Sequence, residues 1–245
     1  MKSDSAAEVS VLVFGAHADD IELSCGGTVA KLVMQGLEVG LVDLTHGEMG
    51  TRGTPELRLA ESSAALAQLG GHFRERLDFG DGALRSGRDE EMQLIGLIRR
   101  HRPRIVIAPY PDDRHPDHTR AGRVVTEASF YAGLRKIETE LPAHRPQTVI
   151  YYLMNYAVTP SFVVDVTNFW DRKMAAVGAY QSQFFKADST EPETFIAKKS
   201  FLQSIEARAR FYGAMIGAEF GEPFFSKQPP KIEDLVGAYG GREVG

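Results

Sequence analysis

The first half of the chain alternates short apolar, β-branched runs with longer stretches whose apolar residues recur at helical spacing. Residues 9–15, 38–45, 76–79 and 104–110 read as strands, and residues 28–35, 55–69 and 90–101 as helices between them. Thr54 supplies a cap with Pro55 at the first helical position, and Pro103 stops the helix that ends at His101. Such alternation calls for a parallel sheet covered on both faces, because each crossover helix must pack back on the sheet. The expected fold is α/β, a Rossmann-like doubly wound, mostly parallel sheet of order 3-2-1-4-5 with helices on both faces. Further strands are expected at 148–155 and 162–166, and helices at 119–133, 169–180 and 195–212, all within one domain spanning residues 1–245. From about residue 221 the chain carries Pro223, Pro229, Pro230 and several glycines, so an irregular tail is expected, suited to packing on another subunit.

Composition narrows the function classes. With 43% hydrophobic and 25% charged residues, the 245-residue chain is neither disordered, collagenous nor a disulfide scaffold. A net charge of −5 provides no general attraction for phosphate backbones, so no nucleic-acid partner is expected. Cys25 is the only cysteine, the first eight residues lack the apolar core of a signal peptide, and no apolar run approaches the roughly 20 residues of a membrane span. These features predict a cytoplasmic protein without membrane association.

The first chemical cluster, Gly15-Ala16-His17-Ala18-Asp19-Asp20, directly follows the first strand, where open α/β sheets bind ligands. A dinucleotide site needs glycines here, whereas this loop sets a histidine and two carboxylates against a pyrophosphate; Asp43 imitates a ribose-binding acid but does not offset that repulsion. His17 and Asp20 are three apart on a turn entering a helix, so both can converge on one metal ion while Asp19 points elsewhere, or the loop simply caps the helix. The second cluster, Asp112-Asp113-Arg114-His115-Pro116-Asp117-His118, follows the fourth strand. In the expected order the first and fourth strands are neighbours, so the clusters meet. The His-x-x-His spacing then allows one imidazole to bind a metal while the other reaches the reacting group.

His17-Ala18-Asp19-Asp20 with His115-Pro116-Asp117-His118 resembles the paired His-Pro-Asp-Asp and His-Pro-Asp-His motifs of the LmbE-like, or PIG-L, zinc deacetylases. The stretch from Asp43 to Thr54, Glu56-Leu57-Arg58, Ala108-Pro109-Tyr110, Asp113-Arg114 and Tyr180-Gln181-Ser182-Gln183-Phe184 resemble the bacillithiol-pathway branch of that family. Ala18 departs from the family's proline, which alters the loop without removing a ligand.

The resemblance implies Zn2+ held by His17, Asp20 and His118, with Asp19 as general base. It implies His115 as oxyanion stabiliser or proton donor to the departing amine, and Asp117 as the residue orienting a histidine. Two histidines and one carboxylate also suit Fe2+, although the adjacent base favours hydrolysis. The implied reaction is removal of the N-acetyl group from N-acetylglucosaminyl malate in bacillithiol biosynthesis. Arg52, Arg58, Arg114 and Arg145 are the candidates for the malate carboxylates, which suit the planar guanidinium fork, with Arg58 foremost. The Gly47, Gly50 and Gly53 loop is either a closing lid or a static turn. The resemblance also implies a homo-oligomer, in some members a hexamer. Rival readings are an amidase or deacetylase of another N-acetylated amino sugar or a thiol conjugate, and a non-catalytic sugar- or metal-binding module. Cys25 is assigned to packing, His46, His72, His101 and His144 to no chemistry, and the aromatics around Trp170, Phe184, Phe201 and Phe211 to core or subunit packing rather than a substrate wall.

Overall fold

The computed structural model describes residues 8–185 and 190–239. Strands β1 (Val11–Gly15), β2 (Val39–Asp43), β3 (Phe73–Arg76), β4 (Ile105–Pro109) and β5 (Thr148–Tyr152) pair in parallel in the order 3-2-1-4-5. Beyond β5 the sheet continues with β7 (Gly221–Ser226), antiparallel to its neighbours, and ends at β6 (Phe162–Asp165). The doubly wound expectation therefore holds, with two more strands closing one edge.

The period-2 alternation along β1 divides the core between the two faces. Val11 and Val13 join the side covered by α1 (Asp20–Met34), α2 (Pro55–Leu69), α5 (Trp170–Gly178) and α6 (Lys199–Ile216). Leu12 and Phe14 join the side covered by α3 (Arg88–His101) and α4 (Pro116–Tyr131). A short α7 (Leu235–Tyr239) lies near the carboxyl end. No helix among the described residues is long and apolar enough to cross a membrane.

Two expectations are corrected. The helix expected from residue 28 begins at Asp20, and its ladder is interrupted at Cys25, where φ is −136° and ψ is 21°. The expected helix thus covers only the later part of α1; the first part escaped notice because its polar residues are buried instead of facing solvent. The kink leaves main-chain N–H groups without helical partners, and the Glu222 carboxylate accepts from Gly27 N at 2.9 Å and Thr28 N at 2.7 Å. It also accepts from the Thr28 hydroxyl at 2.6 Å and from Lys173 Nζ at 2.6 Å. Gly27 is required here, since a Cβ would lie 2.8 Å from Val166 Cβ.

The second correction is the tail from Gly221, expected to be irregular. Residues Gly221–Ser226 instead form β7, and Pro223 fits because its carbonyl, not a donor, is used, accepting from Leu153 N. Glu222 is delivered to α1 by this strand, so the strand is tied to the site. Smaller differences fall at boundaries: β3 lies three residues earlier than expected, and α6 begins at Lys199 rather than 195.

Replacing Glu222 by Ala removes the acceptor for two main-chain donors and leaves the buried Lys173 ammonium without its counter-charge. The expected loss is about 3–5 kcal/mol, read as a lowered midpoint in urea unfolding with an unchanged m value. A midpoint near wild type would refute the role given to this carboxylate.

Candidate metal centre and active site

The sheet order reverses between β1 and β4, which pair directly, so the loops after both strands open at the same carboxyl edge. The β1 loop is closed by hydrogen bonds from Asp19 N to His17 O at 3.0 Å and from His17 N to Asp20 Oδ2 at 2.9 Å. Ala18 is fully buried there, and the loop forms without the family's proline. From the β4 loop, His115 caps α4 and His118 lies in its first turn.

Asp20 stands between two imidazoles. Its carboxylate is 3.5 Å from His17 Nδ1 and 3.2 Å from His118 Nε2. The other ring nitrogens face carboxylates: His17 Nε2 lies 3.1 Å from Asp81 and 3.5 Å from Asp117, and His118 Nδ1 lies 3.0 Å from Asp113. An imidazole with one nitrogen on a carboxylate and the other turned to a shared acid is the usual arrangement of a metal-ligating histidine and the group that orients it. Among the described residues, the donor atoms of His17, His115 and His118 also lie within 4.8 Å of one another, as do those of His17, Asp81 and Asp117.

The electrostatics call for positive charge at this point. Burial pulls His118 down, yet Asp20 and Asp113 outweigh it and raise its pKa to about 9. His17, likewise opposed by burial, is raised by Asp117, Asp20 and Asp81. A divalent cation meets the same demand, so the donor set fits a metal.

Asp19 and Asp20 are adjacent in sequence but differently placed. Burial works to raise both, but His118 and His17 hold Asp20 well below the usual carboxylate range. Burial prevails at Asp19, whose pKa rises to about 6 although Arg58 lies 3.6 Å away. His115 accepts the Asp117 N–H at Nδ1 at 3.3 Å, and burial together with His17 and His118 lowers its pKa. A neutral imidazole accepting at Nδ1 carries its proton on Nε2, so His115 is a hydrogen-bond donor there.

The centre opens into a cavity of about 750 Å³, within the size range of small-molecule sites. His17, Asp19, Asp20, Asp81, His115 and His118 supply its polar groups; Leu23, Met154, Phe201 and Ile205 are among its apolar walls. Arg52, Arg58 and Arg114 also line it. Arg114 is exposed and lies 4.8 Å from the centroid of the exposed Phe195 ring. Arg58 is already engaged, donating to Gly47 O at 3.1 Å beside its Asp19 contact. Arg145 is not brought to the site. It packs 4.3 Å over Phe130 and donates to Phe130 O, on the outer part of α4.

The loop carrying Gly47, Gly50 and Gly53 is pinned as a turn. Asp81 accepts from Met49 N, Glu48 accepts from Asp81 N, and Gln183 donates to Arg52 O. Gly47 has φ +68°, and a Cβ there would sit 2.0 Å from Arg58 Nη1, so this glycine serves a close approach. Cys25 is buried in the core, and Asp43 binds the Arg74 guanidinium through both oxygens at 2.7 and 2.8 Å. His72, His101 and His144 bond elsewhere, to Val39 N, Glu75 and Pro103 O. Of the aromatics assigned to packing, Phe201 also reaches the cavity wall.

Sequence reasoning missed Asp81, Asn155 and Arg208. Asp81 had a usable signal, since Gly80-Asp81-Gly82 follows β3 and so shares the carboxyl edge. Asn155, which donates to both Asp113 oxygens, and Arg208, from the middle of α6, carry no local pattern that marks them.

Residues 12–129 match the family model described as PIG-L, GlcNAc-PI de-N-acetylase. A diacetylchitobiose deacetylase of Thermococcus kodakarensis is 33% identical over 227 residues, covering 86% of this chain and 80% of that protein. The chain belongs to the PIG-L family of deacetylases. The crystal structure of a conserved protein from Thermus thermophilus superposes with a TM-score of 0.85 at 39% identity, over 93% of this chain and 98% of that one. A probable N-acetyl-alpha-D-glucosaminyl L-malate deacetylase 2 of Bacillus cereus is 29% identical, covering 72% of this chain and 84% of that protein. Similarity alone thus does not single out the bacillithiol branch: the chitobiose enzyme stands at least as near.

Asp113→Ala removes the carboxylate that faces His118 Nδ1 and accepts from Asn155. Metal affinity should fall about 10- to 100-fold in a chelator-competition titration, and an unchanged affinity would exclude an orienting role for Asp113.

Proposed function

We propose that this PIG-L family member is a metal-dependent N-deacetylase of small N-acetylated amino sugars, with N-acetylglucosaminyl malate as its substrate. One observation carries the chemistry: a buried carboxylate with a raised pKa, Asp19, stands beside two imidazoles converging on Asp20, within reach of a cavity lined by His115. His17, Asp20 and His118 would hold the metal, and zinc is proposed over ferrous iron, which the same ligand set accepts, because the adjacent base suits hydrolysis. When bound, the metal supplies Lewis-acid polarisation and eases ionisation of water near neutral pH.

The remaining work falls to side chains. Asp19 accepts the proton of the attacking water at a carboxylate oxygen, and Arg58 keeps that carboxylate in place. His115 Nε2–H stabilises the negative charge developing on the amide oxygen or donates its proton to the departing amine. Asp117 fixes both histidines, facing His17 with its side chain and holding the His115 tautomer with its N–H. Water exclusion comes from the apolar walls.

The malate assignment is supported by Arg52 and Arg114, which line the cavity beside the engaged Arg58 and Arg208 and suit a dicarboxylate, and by the similarity to the Bacillus cereus protein. The diacetylchitobiose deacetylase names the competing substrate class, a neutral disaccharide. Free-amine release from N-acetylglucosaminyl malate, N,N'-diacetylchitobiose and N-acetylglucosamine by metal-loaded protein separates them. The malate compound should react much faster, with loss of activity on chelation; faster turnover of the disaccharide would overturn the malate assignment, and no release from any of them would overturn the deacetylase reading.

Asp19→Ala should lower kcat by about 100-fold or more while the protein retains its metal, measured by elemental analysis beside steady-state rates. Full turnover by this variant would remove Asp19 as the base.

A further inference from the structure

Arg208 points from the middle of α6 towards the active-site cavity, where an arginine invites assignment to substrate. Its bonds say otherwise. Nη2 donates to Leu23 O at 3.0 Å and Nη1 donates to Met154 O, so the guanidinium joins main-chain carbonyls of two different segments.

Each carbonyl belongs to one half of the metal centre. Leu23 lies three residues beyond Asp20, and its own N–H bonds Asp19 O at 3.0 Å. In an unbroken helix Leu23 O would accept from Gly27 N, but that N–H is donated to Glu222 across the kink. Arg208 therefore takes a carbonyl that the kink releases, as Glu222 takes the released donors. Met154 immediately precedes Asn155, whose N and Nδ2 bond Asp113 at 3.1 and 2.7 Å, and Asp113 in turn faces His118 Nδ1 at 3.0 Å.

We infer that Arg208 is a positioning residue that braces the Asp19–Asp20 turn against the Asn155–Asp113–His118 chain, holding the two halves of the metal centre in register. This rests on the metal-centre reading above. Lysine can replace the charge but not the fork, since one ammonium on a flexible stem does not match two carbonyls held by a planar guanidinium.

The test uses Co2+ as the probe, titrated into the full-length metal-free protein and followed by its visible absorption, alongside kcat and KM of the metal-loaded enzyme. Arg208→Met should weaken Co2+ binding about 10- to 100-fold, alter the absorption band and lower kcat with little change in KM. Arg208→Lys should recover part of the loss. Combined with Asn155→Ala, the Arg208→Met effect should be less than additive, because both act through Asp113.

A raised KM with wild-type kcat and Co2+ spectrum would mean that Arg208 touches substrate, and would overturn the inference. So would a lowered Tm with spectrum and kcat unchanged, which marks a brace of the fold alone. If Arg208→Met does not fold, Arg208→Lys decides: a shifted spectrum and reduced kcat support the inference, and wild-type values overturn it. Failure of the wild-type protein to bind Co2+ would instead overturn the metal-centre reading itself.

Discussion

The parallel pairing of β1 with β4 is the constraint from which the rest of the site follows. It places two strand ends side by side at the reversal of the sheet, where no crossover helix covers them. The loops that leave those ends must therefore be self-supporting. Here they are held by hydrogen bonds within the charged cluster: Asp20 closes its own turn through His17 N, and Asp113 binds the His115 N–H while facing His118. The groups that form the centre also shape its loops, so the geometry exists before any substrate arrives, which lowers the reorganisation needed during reaction.

Burying so many charges requires compensation behind them, and the structure supplies it in layers. Arg74 spans Glu22 and Asp43 beneath the β1 loop, at 2.5 Å from Glu22. Glu222, paired with Lys173 at 2.6 Å, satisfies the broken helix on the other side. These pairs are costly to desolvate and are retained only where their hydrogen-bonding capacity is used. The α1 kink shows why: it sets the turn that carries Asp19 and Asp20 apart from the rest of the helix, and strand β7, nearly two hundred residues later, is needed to cap the break.

The parallel half of the sheet was legible because its strands are short apolar runs and its helices are periodic. So were His17, Asp19, Asp20, His115, Asp117 and His118, which lie together at two strand ends and carry a paired motif. What escaped was non-local. Pro223 and the glycines around it argue for an irregular tail, and only the partners at β5 and β6 make Gly221–Ser226 a strand. Arg145 has the same local appearance as Arg114, but one stacks on Phe130 of α4 and the other on Phe195 at the cavity. An arginine's destination depends on which aromatic or carbonyl lies within its reach, and that is tertiary information.

The division of labour between two adjacent aspartates is the step that sequence motifs leave unexplained and geometry supplies. Asp20 faces two imidazoles and stays ionised, as a group must to attract a cation. Asp19 lies near Arg58 and His17, yet burial, joined by the charges of Asp20 and Glu22, raises its pKa to about 6, in the range that suits the general base proposed for it. Neighbouring acids whose environments push their affinities for protons apart mark complementary roles. His115 completes the set by a third means: its Nδ1 is occupied by a main-chain donor, which leaves a protonated Nε2 without the need for a positive ring. The proposed base, the cation-attracting acid and the proposed neutral donor are thus separated by their contacts, using two residue types.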